Sequence, residues 1–295
     1  MSRWTLSTRS LPVEQRYDWP GLMRFLAPRA IPGVEEVAGD SYRRTVRSAA
    51  GCGVLTVRRG EREIRLEATD LDGAELDDAR RRVERLLGLE TDLADVARVL
   101  GADPALAPLV TARPQLPAPG AFDGWELAVR AIVGQQVTVA AATTLTGRVV
   151  RALGRPLDAP LGTLGYGFPS AAELARAELP GIGMPGSRVA TLRALGAAVA
   201  AGHIVLDGSA DPEATRQALL VLPGIGPWTA GYVAMRALAD RDAFPVGDVG
   251  LRRAAQALGL PSTPRELAAR AERWRPYRTY AVYHLWASLG AVSGG

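Results

Sequence analysis

The chain has 295 residues, of which 47% are hydrophobic and 22% charged, which is ordinary for a soluble globular protein of two or three domains. Its single cysteine, Cys52, excludes an internal disulfide and a zinc or iron–sulfur site built from cysteines. No apolar run approaches the roughly 20 residues of a membrane span, and no charged-then-apolar signal opens the sequence. We therefore expect a cytoplasmic protein without a membrane partner.

All the basic residues of the chain are arginines. The sequence contains 35 residues of the lysine and arginine types, and none of them is a lysine. Against 31 acidic residues they leave a net charge of +4, which fits nucleic-acid binding without requiring it. The two histidines, His203 and His284, lie far apart and do not form a metal-binding motif.

The first part of the chain, residues 1–112, has the pattern of an α+β domain. Alternating polar and apolar residues in VLTVRRG and REIRLEA are typical of half-buried antiparallel strands. Asp18 can cap a helix that has Leu22, Phe25 and Leu26 on one face. Strands are predicted at residues 4–11, 34–37, 42–47, 54–58 and 63–68, and helices at 19–29, 74–87 and 93–100.

The segment after this domain is rich in proline and glycine and has little periodicity, which predicts a linker at residues 113–124. Beyond it strand signals nearly vanish, and we expect residues 125–295 to form an all-α region with two lobes around a cleft. Helices are predicted at residues 125–133, 137–153, 171–177, 188–201, 212–220, 227–239, 249–258, 264–274 and 277–289.

The pentapeptide LPGIG occurs twice, at 179–183 and 222–226. We interpret the first copy as a tight turn between helices rather than a second DNA contact, because no spaced carboxylate follows it. In the second copy, Gly224 and Gly226 allow a tight turn with exposed N–H groups, and Pro227 suits the first turn of the next helix. Residues 224–228 can therefore hold a phosphate without a charged side chain.

An aspartate follows this hairpin at a distance of twenty residues from Trp228. On residue type alone, Asp248 is an ordinary helix N-cap. The combination of LPGIGPWTA with Asp248 resembles the helix-hairpin-helix DNA glycosylases, in which a hairpin grips a DNA phosphate and a downstream aspartate does the chemistry. The combination is more specific than the hairpin, which many DNA-binding proteins carry.

Further segments resemble the DNA-3-methyladenine glycosylase II (AlkA-type) branch over essentially the whole chain. They are YDWPGLMRFLAPRAIPGVEEV, SYRRTVR, AVRAIVGQQVTVAAATTLTGRVV and ERWRPYRTYAVYHLW. The resemblance implies a TATA-binding-protein-like antiparallel sheet with helices in the N-terminal domain. It also implies an active site between the two lobes of a helix-hairpin-helix glycosylase region.

The resemblance assigns roles in the base pocket. Asp248 would be the catalytic carboxylate, and Trp286 would stack on the extruded base. Trp228 and Tyr232 would line the same pocket. On helical spacing alone these three aromatic residues are typical of a core, and only the resemblance favours the pocket.

The resemblance also implies contacts around the hairpin. Gly224, Ile225, Gly226 and Arg252 would contact DNA. The backbone carbonyls of Leu220, Leu222 and Ile225 would hold a structural monovalent cation, Na⁺ or K⁺, while the chemistry would require no cofactor. Gln136 falls where the branch has a leucine wedge in the DNA stack; a glutamine can fill the gap and bond the orphaned base, but it is a poorer apolar wedge.

The expected reaction is hydrolysis of the C1′–N bond through an oxocarbenium-like sugar. A cationic purine such as 3-methyladenine or 7-methylguanine leaves as a neutral base, so one carboxylate suffices. Bifunctional relatives use a lysine amine that this chain lacks. We predict a monomeric, monofunctional base excision repair glycosylase that acts on alkylated purines in double-stranded DNA and is associated with the nucleoid.

Two other functions stay open. The chain could be a glycosylase for neutral lesions such as hypoxanthine, or a hairpin protein that holds DNA without chemistry. A pure binder would not need Asp248 and Trp286. A third alternative is a chain that works fused to an alkyl-transfer regulator, although nothing in the chain resembles a regulatory domain.

Overall fold

The structure is a computed structural model that describes residues 6–13, 17–48 and 51–292. The N-terminal strands form one antiparallel sheet, and the start of the predicted strand at 4–11 lies outside the described residues. The strands are β1 (Leu6–Pro12), β2 (Glu35–Ala38), β3 (Ser41–Ser48), β4 (Gly51–Arg59) and β5 (Glu63–Thr69). Their order in the sheet is β1-β5-β4-β3-β2.

One face of the sheet is covered by helices α1 (Trp19–Leu26) and α2 (Gly73–Leu87), whose apolar residues share a core cluster with the strands. The predicted alternation sets this face: on β5, Ile64 and Leu66 are buried while Arg65 is exposed. The Asp18 side chain accepts a hydrogen bond from the N–H of Gly21 at 2.9 Å, which confirms the predicted cap. The helix continues as a 3₁₀ turn over Ala27–Arg29, where Pro28 lacks the N–H that an α-helix needs.

The second part of the chain is mostly helical, as predicted. The nine helices predicted after residue 124 are present, with ends within three residues of the prediction. None of the helices among the described residues is both long and apolar enough to cross a membrane. The helices are α3 (Leu93–Gly101), α4 (Ala107–Ala112), α5 (Gly124–Val133), α6 (Val139–Leu153), α7 (Ala171–Ala175), α8 (Gly186–Ala200), α9 (Pro212–Val221), α10 (Pro227–Ala237), α11 (Val249–Ala257), α12 (Pro264–Ala271) and α13 (Arg278–Val292).

The two hydrophobic cores of the structure do not follow the domain boundary that the sequence predicted at residue 112. Val96 of α3 and Val110 of α4 pack in the core of the helical region. The predicted N-terminal domain, residues 1–112, would have placed both helices with the sheet. Between the cores, Ala121 is buried in the helical cluster and Phe122 in the sheet cluster, so the segment 113–124 is packed rather than free. Helical periodicity shows that a face is buried, but it does not show against which partner.

The expectation of an all-α region is wrong in one place, because residues 155–167 form a β-hairpin. Strands β6 (Arg155–Leu161) and β7 (Leu164–Gly167) pair antiparallel. The segment lacks an alternating pattern and contains Pro156 and Pro160, which a two-stranded edge tolerates. The hairpin also contacts the sheet domain, where the Thr45 hydroxyl donates to the carbonyl of Tyr166 at 2.8 Å.

A buried ion pair joins the two parts of the chain. Arg44 of β3 is 1% exposed and donates to both carboxylate oxygens of Glu126 on α5, at 2.6 and 2.7 Å. Its guanidinium also stacks over the ring of Phe122, with 4.0 Å from Cζ to the ring centroid. Removing one partner would leave the other charge buried and unpaired, so the pair fixes how the sheet sits on the helices.

The buried His284 on α13 predicts a pH-dependent stability. Burial lowers the pKa of His284 to about 4, and the charge of Arg113 acts in the same direction. An unfolded histidine titrates near 6.5. Between that pH and about 4, the unfolded state therefore binds a proton at this residue and the folded state does not. The free energy of unfolding should therefore fall by about 3 kcal/mol as the pH drops from about 6.5 to 4.

We expect His284→Gln to flatten this pH dependence, measured by denaturant unfolding at several pH values. The exposed His203 is the matched control, and His203→Gln should keep the wild-type dependence. An unchanged dependence in His284→Gln would contradict the assignment.

Candidate active site

The second LPGIG copy forms the hairpin between α9 and α10. Gly224 has a φ of +81°, and a Cβ at this position would lie 2.2 Å from the hydroxyl oxygen of Thr191 on α8. Backbone conformation and close packing therefore both require glycine. Gly226 is the N-cap of α10 and provides no side chain for the first N–H groups, and the first turn holds no acidic residue. These N–H groups are available to an anion.

Asp248 has two structural roles at once. Its Oδ1 accepts from the N–H of Leu251 at 2.8 Å, so it is the N-cap of α11 that residue type alone suggests. The same carboxylate accepts two indole N–H groups: Trp286 donates to Oδ1 at 3.0 Å and Trp228 donates to Oδ2 at 2.9 Å. An ordinary N-cap needs only the bond from the backbone N–H, here that of Leu251. The carboxylate is thus held in one orientation by helices α10, α11 and α13.

The predicted pocket residues lie together around this carboxylate. Trp228 and Tyr232 are stacked, with ring centroids 5.4 Å apart, and Tyr232 lies 6.4 Å from Trp286. Each of the three is partly exposed rather than fully buried, unlike a core aromatic. Tyr283, which the sequence did not single out, packs edge-on against Trp286 at 5.5 Å. The four rings form an aromatic cluster beside Asp248, which we call the aromatic slot.

Gly250 allows this arrangement and was missed by sequence reasoning. A Cβ at Gly250 would lie 3.1 Å from Oδ1 of Asp248 and 3.2 Å from Nε1 of Trp286. The first turn of α11 therefore approaches the indole closely because this residue has no side chain.

Arginines lie behind the aromatic slot. Nη1 of Arg236 donates to the hydroxyl of Tyr232 at 3.1 Å. Burial of this hydroxyl raises the pKa of Tyr232, but the charges of Arg236, Arg29 and Arg130 outweigh burial, and the net pKa is lowered. Positive charge therefore lies next to the Tyr232 hydroxyl.

The loop between α5 and α6 is tied to the hairpin. Gln136 at its tip is exposed and has a φ of +57°, a conformation that costs energy for any residue with a Cβ. The amide nitrogen of Gln135 donates to the carbonyl of Gly224 at 2.9 Å and to the hydroxyl of Thr229 at 3.0 Å. Arg188 of α8 donates to the Gln135 carbonyl at 2.8 Å. The loop and the hairpin therefore form one connected surface.

The remaining candidate residues lie outside the group of side chains around Asp248. Arg252 is exposed on α11, and its Nε donates to the carbonyl of Ser262 at 2.8 Å. The first LPGIG copy joins α7 to α8, and Arg148 donates to its Ile182 carbonyl at 3.2 Å. In the part of the chain that the structure describes, no three His, Cys, Asp or Glu side chains are grouped so that they could hold a metal ion.

The geometry defines a helix-hairpin-helix protein whose hairpin lies beside an aromatic, carboxylate-bearing slot. Two family models match: the AlkA N-terminal domain over residues 8–123, and the HhH-GPD superfamily base excision DNA repair proteins over residues 129–278. The second match alone covers about half of the chain. The chain therefore belongs to the HhH-GPD superfamily, and it carries the AlkA N-terminal domain.

Individual relatives agree with this assignment. The chain is 35% identical to DNA-3-methyladenine glycosylase 2 of Escherichia coli over 93% of this chain and 95% of the relative. It is 42% identical to a probable bifunctional transcriptional activator/DNA repair enzyme AlkA of Mycobacterium tuberculosis, over 98% of this chain but only 58% of the relative's length. The fold matches a 3-methyladenine DNA-glycosylase structure from Archaeoglobus fulgidus with a TM-score of 0.81 at 22% identity, covering 94% of this chain and 97% of that one.

The bridge between loop and hairpin predicts a measurable stability effect. We expect Gln135→Ala to lower the free energy of unfolding by about 1 kcal/mol, because it removes the donor for Gly224 and Thr229. Gln136→Ala is the matched control and should change stability by less than about 0.5 kcal/mol, since its side chain is exposed. Denaturant unfolding of both variants checks this. Equal stability of the two variants would show that the bridge contributes nothing.

Proposed function

We propose that this chain is a monofunctional DNA glycosylase of base excision repair that flips alkylated purines out of double-stranded DNA and releases them by hydrolysis. The observation that carries the proposal is the carboxylate of Asp248, held by two indoles beside the hairpin. The name of the Escherichia coli relative, DNA-3-methyladenine glycosylase 2, supports the same activity. A protein that only held DNA would have no use for a carboxylate fixed in this way.

The proposed DNA contacts follow from the hairpin. The free N–H groups at the start of α10 would bind a phosphate next to the lesion. The exposed Gln136 at the tip of the tied loop would fill the space left by the flipped nucleotide. Arg252 would add a phosphate contact at the start of α11, where its guanidinium is exposed. These contacts would offset the few kcal/mol that base flipping costs.

The proposed chemistry uses Asp248 at the sugar. An ionised carboxylate has about four lone-pair positions, and three N–H groups, from Leu251, Trp228 and Trp286, occupy three of them. The remaining position would face C1′ of the extruded nucleotide. There the carboxylate would stabilise the oxocarbenium-like sugar or activate the attacking water. The base would stack on Trp286, and a cationic purine would be attracted by the indole face.

A monovalent cation at the hairpin is part of the proposal. The carbonyls of Leu220, Leu222 and Ile225 would hold it, and neutral carbonyl oxygens suit such an ion. The position fits, because Leu220 lies in the last turn of α9, where helix carbonyls lack intrahelical partners. The Leu222 carbonyl accepts from the N–H of Ile225 at 3.2 Å and retains a second lone pair. When bound, the ion would add positive charge where the hairpin meets the phosphate.

We further propose that the enzyme works as a monomer on nucleoid DNA in the cytoplasm. Genomic DNA with alkylated bases is the partner, and no cofactor would be required for bond cleavage.

Replacing one carboxylate oxygen of Asp248 by an amide nitrogen should separate duplex binding from base release. Asp248→Asn keeps a side chain suited to the N-cap but removes the negative charge, so we expect duplex binding to persist while base release falls by about 10²–10³. Single-turnover release of 7-methylguanine and a duplex-binding titration measure the two effects. The control is Asp92→Asn at the N-cap of α3, which should leave release unchanged. Near-normal release in Asp248→Asn would remove this residue from the mechanism.

The absence of lysine from the sequence predicts the type of product. A strand-nicking glycosylase forms a Schiff base between an amine and the sugar, and no side chain of this chain can supply that amine. We expect intact abasic strands after incubation with alkylated duplex. We also expect no efficient covalent adduct when borohydride is added. A stoichiometric borohydride-trapped adduct would overturn the monofunctional assignment.

A further inference from the structure

Helices α6 and α8 concentrate the excess positive charge of the chain. They contain no acidic residue and four arginines, which are Arg148, Arg151, Arg188 and Arg193. These four equal the excess of 35 basic over 31 acidic residues in the whole sequence, so the rest of the chain balances its charges. On other helices, Arg81 of α2 and Arg98 of α3 each pair with an aspartate of their own helix. A local excess of this kind indicates a surface for an anionic partner.

Two of these arginines lie beside the first LPGIG copy on one face of α6. Nη1 of Arg148 donates to the carbonyl of Ile182 at 3.2 Å. A Cβ at Gly183 would lie 2.6 Å from the same nitrogen, and Gly183 has a φ of +86°, so glycine both makes the turn and leaves room for the guanidinium. Arg151 follows three residues after Arg148 and therefore shares its face of the helix. The first LPGIG copy thus positions Arg148 on the surface.

Arg188 extends this charged surface to the loop between α5 and α6. It lies in the first turn of α8 and donates to the carbonyl of Gln135 at 2.8 Å. Arg148 and Arg188 bond only neutral carbonyls, and the Arg151 side chain has no partner among the described residues. Arg193 donates to a backbone carbonyl of α7 instead. We call Arg148, Arg151 and Arg188 the basic strip, and its charge is not neutralised within the described part of the protein.

The strip continues the surface around the tip of the loop. Val137 and Val139, next to Gln136, are 38% and 41% exposed. From these valines the exposed face of α6 runs through Thr144 to Arg148. At 1.5 Å per residue, Arg148 lies about 14 Å along the helix from Val139. The surface therefore changes from apolar beside the loop tip to cationic between two and three turns away.

This order of surface chemistry matches a duplex from the flipped nucleotide outward. A wedge such as the proposed Gln136 enters through the minor groove, which is about 6 Å wide. Exposed valines beside the wedge would face sugars and base edges. Cations about 14 Å away would lie beyond the edge of the groove, where the backbone phosphates are.

The position of the loop indicates which strand the strip meets. The Gln135 side chain donates to Gly224 of the hairpin, while its carbonyl accepts from Arg188 of the strip, so the loop joins the two surfaces. A loop inserted at the flipped position has the lesion strand on one side and the complementary strand on the other. The proposed phosphate contact of the hairpin takes the lesion strand, which leaves the complementary strand for the strip.

We propose that the basic strip binds backbone phosphates of the strand opposite the lesion, within about five nucleotides of the orphaned base. The proposal rests on the duplex-binding part of the proposed function. Each neutralised phosphate releases condensed counterions, so the strip strengthens duplex binding most at low salt. It holds the complementary strand while the hairpin holds the lesion strand, and its arginines are positioning residues rather than catalytic ones.

The salt dependence of duplex binding measures the number of phosphate contacts. The probe is a duplex with a neutral abasic analogue opposite an ordinary base. For the double variant Arg148→Gln/Arg151→Gln we expect the slope of log affinity against log salt to become less steep by about 2. Its affinity at low salt should fall at least about tenfold.

Single variants separate charge from structure. Arg151→Gln alone should give about half of the change in slope, and this side chain has no protein partner whose loss could disturb the fold. Arg148→Lys retains the charge and should keep the wild-type slope. The exposed Arg81→Gln on α2 is the control and should leave the slope unchanged.

Duplexes with uncharged methylphosphonate linkages assign the strand. Such linkages at about five phosphates on each side of the orphaned base should abolish the difference in affinity between the wild-type protein and the double variant. The same number of linkages around the abasic analogue in the lesion strand should leave that difference in place.

A wild-type salt slope in the double variant would overturn the proposal. A difference that disappears only when the lesion strand is neutralised would overturn it as well, because the strip would then meet the wrong strand. A wild-type protein that shows the expected strand dependence but releases no alkylated base would overturn the proposed glycosylase function and leave this surface standing.

Discussion

The carboxylate of Asp248 is the point on which the rest of the structure depends. Its bonds to Trp228 and Trp286 join α10, which follows the hairpin, to α13 at the far end of the chain. Two indole N–H groups and one backbone N–H hold the carboxylate in one orientation, so in the proposed reaction it would not have to reorient. Because α10 carries both Trp228 and the hairpin N-terminus, the same helix positions the proposed phosphate contact and the proposed reacting group.

The N-terminal domain contributes to the slot as well as to the fold. Helix α1 and the 3₁₀ turn after it supply Phe25 and Arg29, which lie behind the rings of the helical region. The buried pair of Arg44 with Glu126 holds the sheet in the position that this contact requires.

The sequence predicted the elements that obey local rules. The glycines of LPGIG predicted the hairpin, and Asp18 predicted the first helix cap. Residue type alone predicted Asp248 as a helix N-cap, and only the family resemblance grouped it with Trp228 and Trp286. The β6–β7 hairpin escaped prediction because Pro156 and its neighbours interrupt the alternation on which a strand prediction relies. The bonds between Asp248 and two indoles could not be read from the sequence, since three separate helices meet only through packing.

The central claim is that Asp248 stabilises positive charge on the sugar. The most direct measurement compares duplex affinity for two abasic analogues, one neutral and one with a protonated nitrogen in place of the sugar's cationic centre. The account predicts that the wild-type protein binds the cationic analogue at least about tenfold more tightly, and that Asp248→Asn loses this preference while binding the neutral analogue normally. Equal affinity of the wild-type protein for both analogues would contradict the account, as would a cationic preference that survives in Asp248→Asn.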